Sequence, residues 1–538
     1  MSGNRSVRNN LRCMGLAFGV AGLILASAAR AEEPAPDRGE QRAALLVHML
    51  GGDPVVHLEQ TVRAPDVTDA LRLDEAVAFA LKNNFEVRAA SAKTDAADWD
   101  VVGAYLGYMP TITYSRSSGR ERSGPASYNI NDKRVQDDTH HRRDKELSIK
   151  QPLVDLTLIS DILLRHKSQT AAEIEETGVR ERIALQTIGA FYKIIQARLF
   201  IRMAEQYKAQ LDKLNDLMAS RVEGGGAAQA DLDRIKARSV SAQSAIIETR
   251  SEFDAAMDEF RRLTGVTPLQ FQVPAMLVPT LPPTIEDALT KALRGNPDYL
   301  LSLKQTEVQQ YEADKAYSRL LPKVTFEFTK SRTWNAGGTA LGATDAGGTD
   351  EIFPYQNDER AMVVTTWTFS GGTDVAAGLS ANAKAREANF KSLDTRSRVE
   401  ELVRTSYNAL GAANSRIPVL QQAVESNARV VSAFEEQYMN ASRPLFDLLD
   451  AYERHYSARL DLTRVLVAEA QAAHQLRRQM GELIQALKET EHRAHVPAAA
   501  ETQPEAKPEA PAADTDTDEP PVEAAPRENV TVEPAAKP

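Results

Sequence analysis

The chain has 538 residues, of which 42% are hydrophobic, 26% charged and only 6% aromatic, with a formal net charge of −11 and one cysteine. That length exceeds one ordinary core and implies several domains or one extended architecture, and the low aromatic share suits long Ala-rich helices better than an enzyme core. The acidic balance disfavours a nucleic-acid partner, and the single Cys13 excludes a disulfide framework, a cysteine zinc site and, since it falls in a segment expected to be removed, a catalytic thiol.

Residues 1–31 read as a secretory signal peptide: Arg5, Arg8 and Arg12, an apolar run from Met14 to Ala26, then Ala29-Arg30-Ala31 as the cleavage site. The run is shorter than the roughly 18–20 residues of a spanning helix, which makes a membrane anchor the weaker alternative. Taking away its four arginines lowers the charge to −15. Residues 32–70 form an N-terminal extension rich in Pro, Asp and Glu, expected to lie loosely against the body except for a short docked turn at residues 43–47. Nothing beyond it offers 18 consecutive uncharged apolar residues, so if the exported chain crosses a membrane it must do so with strands closed into a barrel.

An internal duplication then organises the chain. Residues 73–84 match 285–296, Tyr108-Met109-Pro110 match Leu320-Leu321-Pro322, and Arg261-Arg262-Leu263-Thr264-Gly265 match Arg477-Arg478-Gln479-Met480-Gly481, at offsets drifting only from 212 to 216. Each copy predicts a helix, two strands around a polar loop, a very long helix, a tight turn and a returning helix. In the first copy, 71–282, these are 71–108, 111–118, 145–153, 160–222 and 228–264. In the second, 283–488, they are 284–320, 323–331, 361–369, 375–440 and 444–486. The long-helix reading rests on apolar residues recurring at steps of three and four from Ala184 to Met218. A helix of sixty-odd residues spans about 90–95 Å and must pack sideways in a bundle or tube. The strand readings rest on alternation, as in Val324, Phe326 and Phe328 against Thr325, Glu327 and Thr329, which fits a barrel wall or a half-buried soluble hairpin. Residues 116–144 and 334–358 are predicted to be water-exposed loops, and 489–538, acidic and Pro/Ala-rich, a disordered tail.

Helix, Pro110 or Pro322 as a helix–strand boundary, strand, loop, strand and long helix, given twice after a signal peptide, resembles the TolC family of trimeric outer-membrane efflux and secretion channels. The resemblance covers about residues 70–488 and is carried by Asn83-Asn84, Gly295-Asn296-Pro297, Phe369-Ser370-Gly371-Gly372 and Leu263-Thr264-Gly265. The stretch from Phe434 to Ala451 is similar to the subgroup serving type I protein secretion, including adhesin export, although Asn440-Ala441-Ser442-Arg443-Pro444-Leu445 lacks that subgroup's glycine. The resemblance implies a mainly α fold with a membrane β-barrel: three chains forming a 12-stranded barrel plus α-helical tube, embedded in outer-membrane lipid. It implies a passive duct for an exported substrate, partnered by a periplasmic adaptor (membrane fusion) protein and an inner-membrane transporter. Multidrug or metal efflux, and a soluble periplasmic coiled-coil scaffold, stand as alternatives.

Within that frame the candidate adaptor-docking tips are Arg221, Val222, Glu223 and Gly224 on one turn and Asn440, Ser442 and Arg443 on the other. A glycine helix-to-helix turn accounts for the first equally well. Asp231, Asp233, Asp447 and Asp450 are candidate carboxylates of the periplasmic entrance, which threefold symmetry would turn into rings; helix-start acids favoured by the macrodipole are the plainer reading. His140-His141-Arg142-Arg143 falls in a predicted solvated loop. No phosphate loop, zinc-type spacing or nucleophile motif is found, so no enzyme activity, cofactor or metal is expected.

Overall fold

The two halves of the chain fold into matching series of elements. In the computed structural model the first half contains α2 (Leu73–Asn83), α3 (Phe85–Leu106), β3 (Thr111–Arg122), β4 (Thr139–Val154), α4 (Leu156–Glu223) and α5 (Gln229–Thr264). The second contains α6 (Ile285–Gly295), α7 (Pro297–Ser318), β6 (Lys323–Trp334), β7 (Tyr355–Thr366), α8 (Thr373–Met439) and α9 (Leu445–Gln479). Three small elements precede them, α1 (Arg38–Met49), β1 (Val55–His57) and β2 (Val67–Leu71), and a fourth, β5 (Pro268–Gln272), lies between the halves after α5. The structure describes residues 38–49, 55–57, 67–122, 139–274, 281–334, 355–440 and 443–488, all within the unit Met1–His492. The signal peptide and acidic tail expected from sequence lie outside the described residues, as does Ser442.

The strands β3, β4, β6 and β7 form one antiparallel sheet in that order. Its register aligns Ile112, Ile149, Phe328 and Ala361 across the four strands, with Tyr114, Leu147 and Phe326 on the same face. The other face carries Thr113, Ser148, Thr329 and Arg360 in a single row. One apolar and one polar face is the pattern of a wall between lipid and water. The strands run past the predicted limits, to Arg122 and from Thr139 in the first pair, so Arg142 and Arg143 are strand residues and not loop residues. Sequence alternation fails there because both faces are polar.

The predicted 38-residue opening helix is in fact two helices in each copy, broken at Asn84 and at Asn296. Asn84 accepts from the Glu86 amide through Oδ1 (2.8 Å) and donates from Nδ2 to the Leu263 carbonyl (3.2 Å). Asn296 accepts from the Tyr299 amide (3.0 Å) and donates to the Gln479 carbonyl (3.0 Å). Each asparagine caps one helix and satisfies an orphan carbonyl at the end of another. Gly265 and Gly481 take left-handed φ of 72° and 70° beside these contacts, and a Cβ on Gly481 would strike the Gly295 carbonyl. The sequence markers Asn-Asn, Gly-Asn-Pro and Leu-Thr-Gly therefore meet at two pseudo-equivalent junctions.

The helix α4 has 68 residues and α8 has 67, about 100 Å each at 1.5 Å per residue. Asp155 starts α4 by accepting from the Thr157 and Leu158 amides, and α8 continues through Pro418. Each packs along its returning partner, α5 or α9. The main core gathers the middle of α4 (Ile183, Ile188, Phe191, Tyr192, Ile195), Phe260 of α5, Phe271 of β5 and Leu466 of α9. The N-terminal extension docks over more of its described length than the short turn expected at residues 43–47. Residues 38–49 form a helix whose Leu46 is fully buried in this core, and Arg42 pairs with the buried Glu469 at 3.3 Å. β1 and β2 flank β5 in a three-stranded sheet. Polar composition hid these elements because only a few apolar residues are needed to dock them.

Candidate functional site at the hairpin tips

Far along the chain from the sheet, α4 turns into α5 and α8 into α9. At the first turn Gly226 N bonds the Arg221 carbonyl (2.8 Å) and Gly225 N the Val222 carbonyl (2.9 Å), a Schellman closure with Gly225 at φ 73°. Gly225 is the glycine the backbone requires; Gly224 itself has an ordinary φ of −77°. Glu223 and Gly224 are exposed, Arg221 and Val222 half-buried.

The second turn is held by side chains. Arg443 donates from Nε to Gln437 (2.7 Å) and from Nη1 to Asp447 (3.0 Å), and its guanidinium lies 3.8 Å from the centre of the Phe434 ring. Asn440 is exposed and closes α8 onto the Glu436 carbonyl. Met439 and Phe446 are exposed apolar residues beside this turn.

The two turns share one core. Tyr207, Leu211, Leu214 and Met218 of α4 meet Leu232 and Ile235 of α5, and Tyr438, Leu448, Leu449 and Tyr452 of the second hairpin. Arg221 sits over the Tyr438 ring at 5.2 Å, and the Tyr438 hydroxyl reaches Met218 Sδ at 3.8 Å. Burial pushes the Tyr438 phenol up, with Arg221 pulling the other way. Tyr452 donates to Glu435 (2.6 Å), Arg238 of α5 pairs with Glu453 of α9, and Tyr207 stacks on Tyr456 at 4.8 Å. None of these links was read from sequence. The spacing of Tyr438, Tyr452 and Tyr456 on α8 and α9 signals buried positions, but a partner on a hairpin more than 200 residues away leaves no local trace.

All four candidate entrance acids are described, and each has a polar partner within four residues of it in the chain. Asp447 pairs with Arg443, Asp450 with Arg454 at 2.9 Å and Asp231 with Arg234 at 3.9 Å, while Asp233 accepts from Gln229 at 3.0 Å. The structure thus brings Arg443 and Asp447 together and keeps the other acids in separate local pairs. Pro110 and Pro322 stand immediately before β3 and β6, while the helices before them stop at Leu106 and Ser318. Among the described residues no cluster of His, Cys, Asp or Glu suits a metal ion, and no helix is long and apolar enough to cross a membrane.

A family model described as "Outer membrane efflux protein" matches residues 77–266. The chain is 24% identical over 407 residues to the alkaline protease secretion protein AprF of Pseudomonas aeruginosa, covering 73% of this chain and 81% of the relative. It is 21% identical over 400 residues to outer membrane protein TolC of Escherichia coli, covering 71% and 76%. The chain is thus similar to TolC-family outer-membrane efflux proteins. Its fold is similar to that of the Campylobacter jejuni CmeC outer membrane channel, with a TM-score of 0.65 at 15% identity over 86% of this chain and 94% of that one. These likenesses place the protein in the outer membrane, with the sheet as the part that suits lipid.

Proposed function

We propose that three copies of the chain close their sheets into a twelve-stranded barrel, continued by the long hairpins as an α-helical tube in the periplasm. This duct passively passes exported protein from a periplasmic adaptor and inner-membrane transporter to the exterior. The observation that supports it best is the sheet itself. β3 and β7 are its outer strands, and each has a paired neighbour on only one side among the described residues. Unpaired backbone in hydrocarbon costs several kcal/mol per group, so a lipid-facing sheet must close. Four strands cannot close, whereas twelve can. Strands of twelve residues or more exceed the roughly 9–11 that cross a bilayer at a tilt.

Protein cargo is favoured by the likeness to AprF, which is named for protease secretion. Small-molecule or metal efflux is the second reading, favoured by the efflux description of the matched family model. In either case the exposed Glu223, Gly224, Asn440 and Phe446, with the half-buried Arg443, dock the adaptor, and Asp231, Asp233, Asp447 and Asp450 line the entrance. The test is expression in a strain lacking its own TolC-type duct but holding an ABC exporter and its protein cargo. Cargo should appear in the medium, and the purified protein should run as a trimer in detergent. A freely soluble monomer would sink the duct; retained cargo with restored drug or metal resistance would transfer the role to efflux.

A further inference from the structure

The apolar face of the sheet changes character at a sharp level. Below that level it presents Ile112, Tyr114, Ile149, Phe326 and Phe328. Above it the same register aligns Arg116, Lys145 and Arg332 in one row, and Ser118, Arg143 and Trp334 in the row nearer the loops. Arg120 follows, opposite His141. Lys145 and Arg332 lie over the Trp334 ring at 5.7 and 5.1 Å. With Lys330, which pairs with Glu359 at 3.1 Å, this face carries six Lys and Arg and one acid among its described side chains. Arg116, Arg120 and Arg143 are exposed and make no ion pair among the described residues.

The opposite face at the same levels is acidic on balance. Glu121, Asp144, Glu146 and Asp358 stand there with Arg142, which itself bridges Glu121 and Asp144. The cations are therefore sorted by face and are not a general property of the strands. Their height is also specific. The Trp367 indole donates to the Leu320 carbonyl at 3.1 Å and marks the helix end of the sheet. The first basic row, Arg116–Lys145–Arg332, reaches Asn357 on β7, ten residues from Trp367, about 33 Å at the rise of a strand. At the ~40° tilt of membrane barrels that is roughly 25 Å of height, the thickness of an outer-membrane apolar band. The basic rows thus begin where hydrocarbon ends, on the loop side, with an aromatic residue between them.

We propose that this belt binds the phosphate groups of phosphorylated lipids in the leaflet on the loop side. The belt rests on the barrel reading above, since it must face lipid. Guanidinium groups chelate phosphate oxygens, long basic side chains reach from the apolar edge to the headgroup level, and clustered Lys and Arg at that level recognise anionic lipid. Continuity with the apolar band makes a lipid the occupant, since a soluble polyanion would have no use for that band.

The test uses full-length protein purified and delipidated in a neutral detergent, titrated with bisphosphorylated lipid A, with its dephosphorylated form, and with inorganic phosphate. The wild type should bind the phosphorylated lipid at least tenfold more tightly than the dephosphorylated one. Arg116→Gln, Arg120→Gln, Arg143→Gln and Lys145→Gln together should reduce that preference to within twofold. Replacing the same three arginines by lysine should keep it, and Arg360→Gln on the opposite face should leave it unchanged. A detergent trimer that binds both lipids equally, a glutamine variant that keeps the preference, or full competition by millimolar inorganic phosphate overturns the belt while sparing the barrel. A water-soluble monomer overturns both.

Discussion

Replacing Glu181 by glutamine should stabilise the protein above neutral pH and do little in acid. Glu181 lies on α4, almost fully buried; Oε1 accepts from the Ile484 amide at 3.3 Å and Oε2 is buried without a hydrogen bond. Burial pushes its carboxyl from 4.5 up to about 7, against the opposing pull of the Ile484 amide and Arg478. The folded state then holds a proton that the unfolded chain releases between those values. The stability this site supplies is complete below pH 4.5 and lost as pH rises through 7. At about 1.4 kcal/mol per pKa unit, the loss by pH 8 is on the order of 3 kcal/mol. His474 has the opposite sign: its buried imidazole is pushed down from 6.5 to about 4, so its contribution is present above 6.5 and lost as pH falls through 4. Between pH 4.5 and 6.5 the two slopes cancel in the wild type. Glu181→Gln keeps an acceptor for Ile484 and leaves His474 unopposed, so the variant should lose about 3 kcal/mol from pH 6.5 to 4.5. Denaturant unfolding of the detergent-purified protein at pH 4.5, 6.5 and 8 measures this. An advantage over wild type that is equal at pH 4.5 and pH 8 would refute the assignment of a protonated Glu181.

Further outcomes follow from the junctions and tips. Asn296→Ala removes a cap and the bonds that the fully buried amide donates to Gln479, and should cost about 2–3 kcal/mol in the same unfolding assay. Gly225→Ala meets open space and only the left-handed backbone, for about 1–2 kcal/mol. Gly481→Ala meets the Gly295 backbone as well and should prevent accumulation of folded protein; equal stability of the two alanine variants would contradict the close approach. Asp447→Ala with Asp450→Ala should raise single-channel conductance in a planar bilayer and relieve block by divalent cations. Unchanged conductance and block would remove these acids from the entrance.

Long-range order was legible where the chain repeats itself. The stripe from Ala184 to Met218 was enough to place most of α4, and Pro110 and Pro322 marked the strand starts, because helix periodicity and proline act through neighbouring residues. The break at Asn84 was not legible, since Asn83-Asn84 sits in an otherwise helical pattern and its reason is a carbonyl nearly 180 residues away. Docking at residues 43–47 was expected as a short turn, but the full helix α1 was not, because Leu46 and Ala43 are few and their burial depends on packing against distant helices. At the tips the turn residues were found in advance, but Arg221 over Tyr438 and Arg238 with Glu453 join separate hairpins.

The sequence alone determined the duplication, the approximate lengths of the long hairpin helices and the need for any sheet in lipid to close, all properties of local pattern and of hydrogen-bond supply. Tertiary structure alone decided which asparagine caps which helix, which acids find a base and which strand face carries the cations. Those outcomes depend on register, and one residue of slip along a strand would exchange the apolar face of the sheet for the polar one.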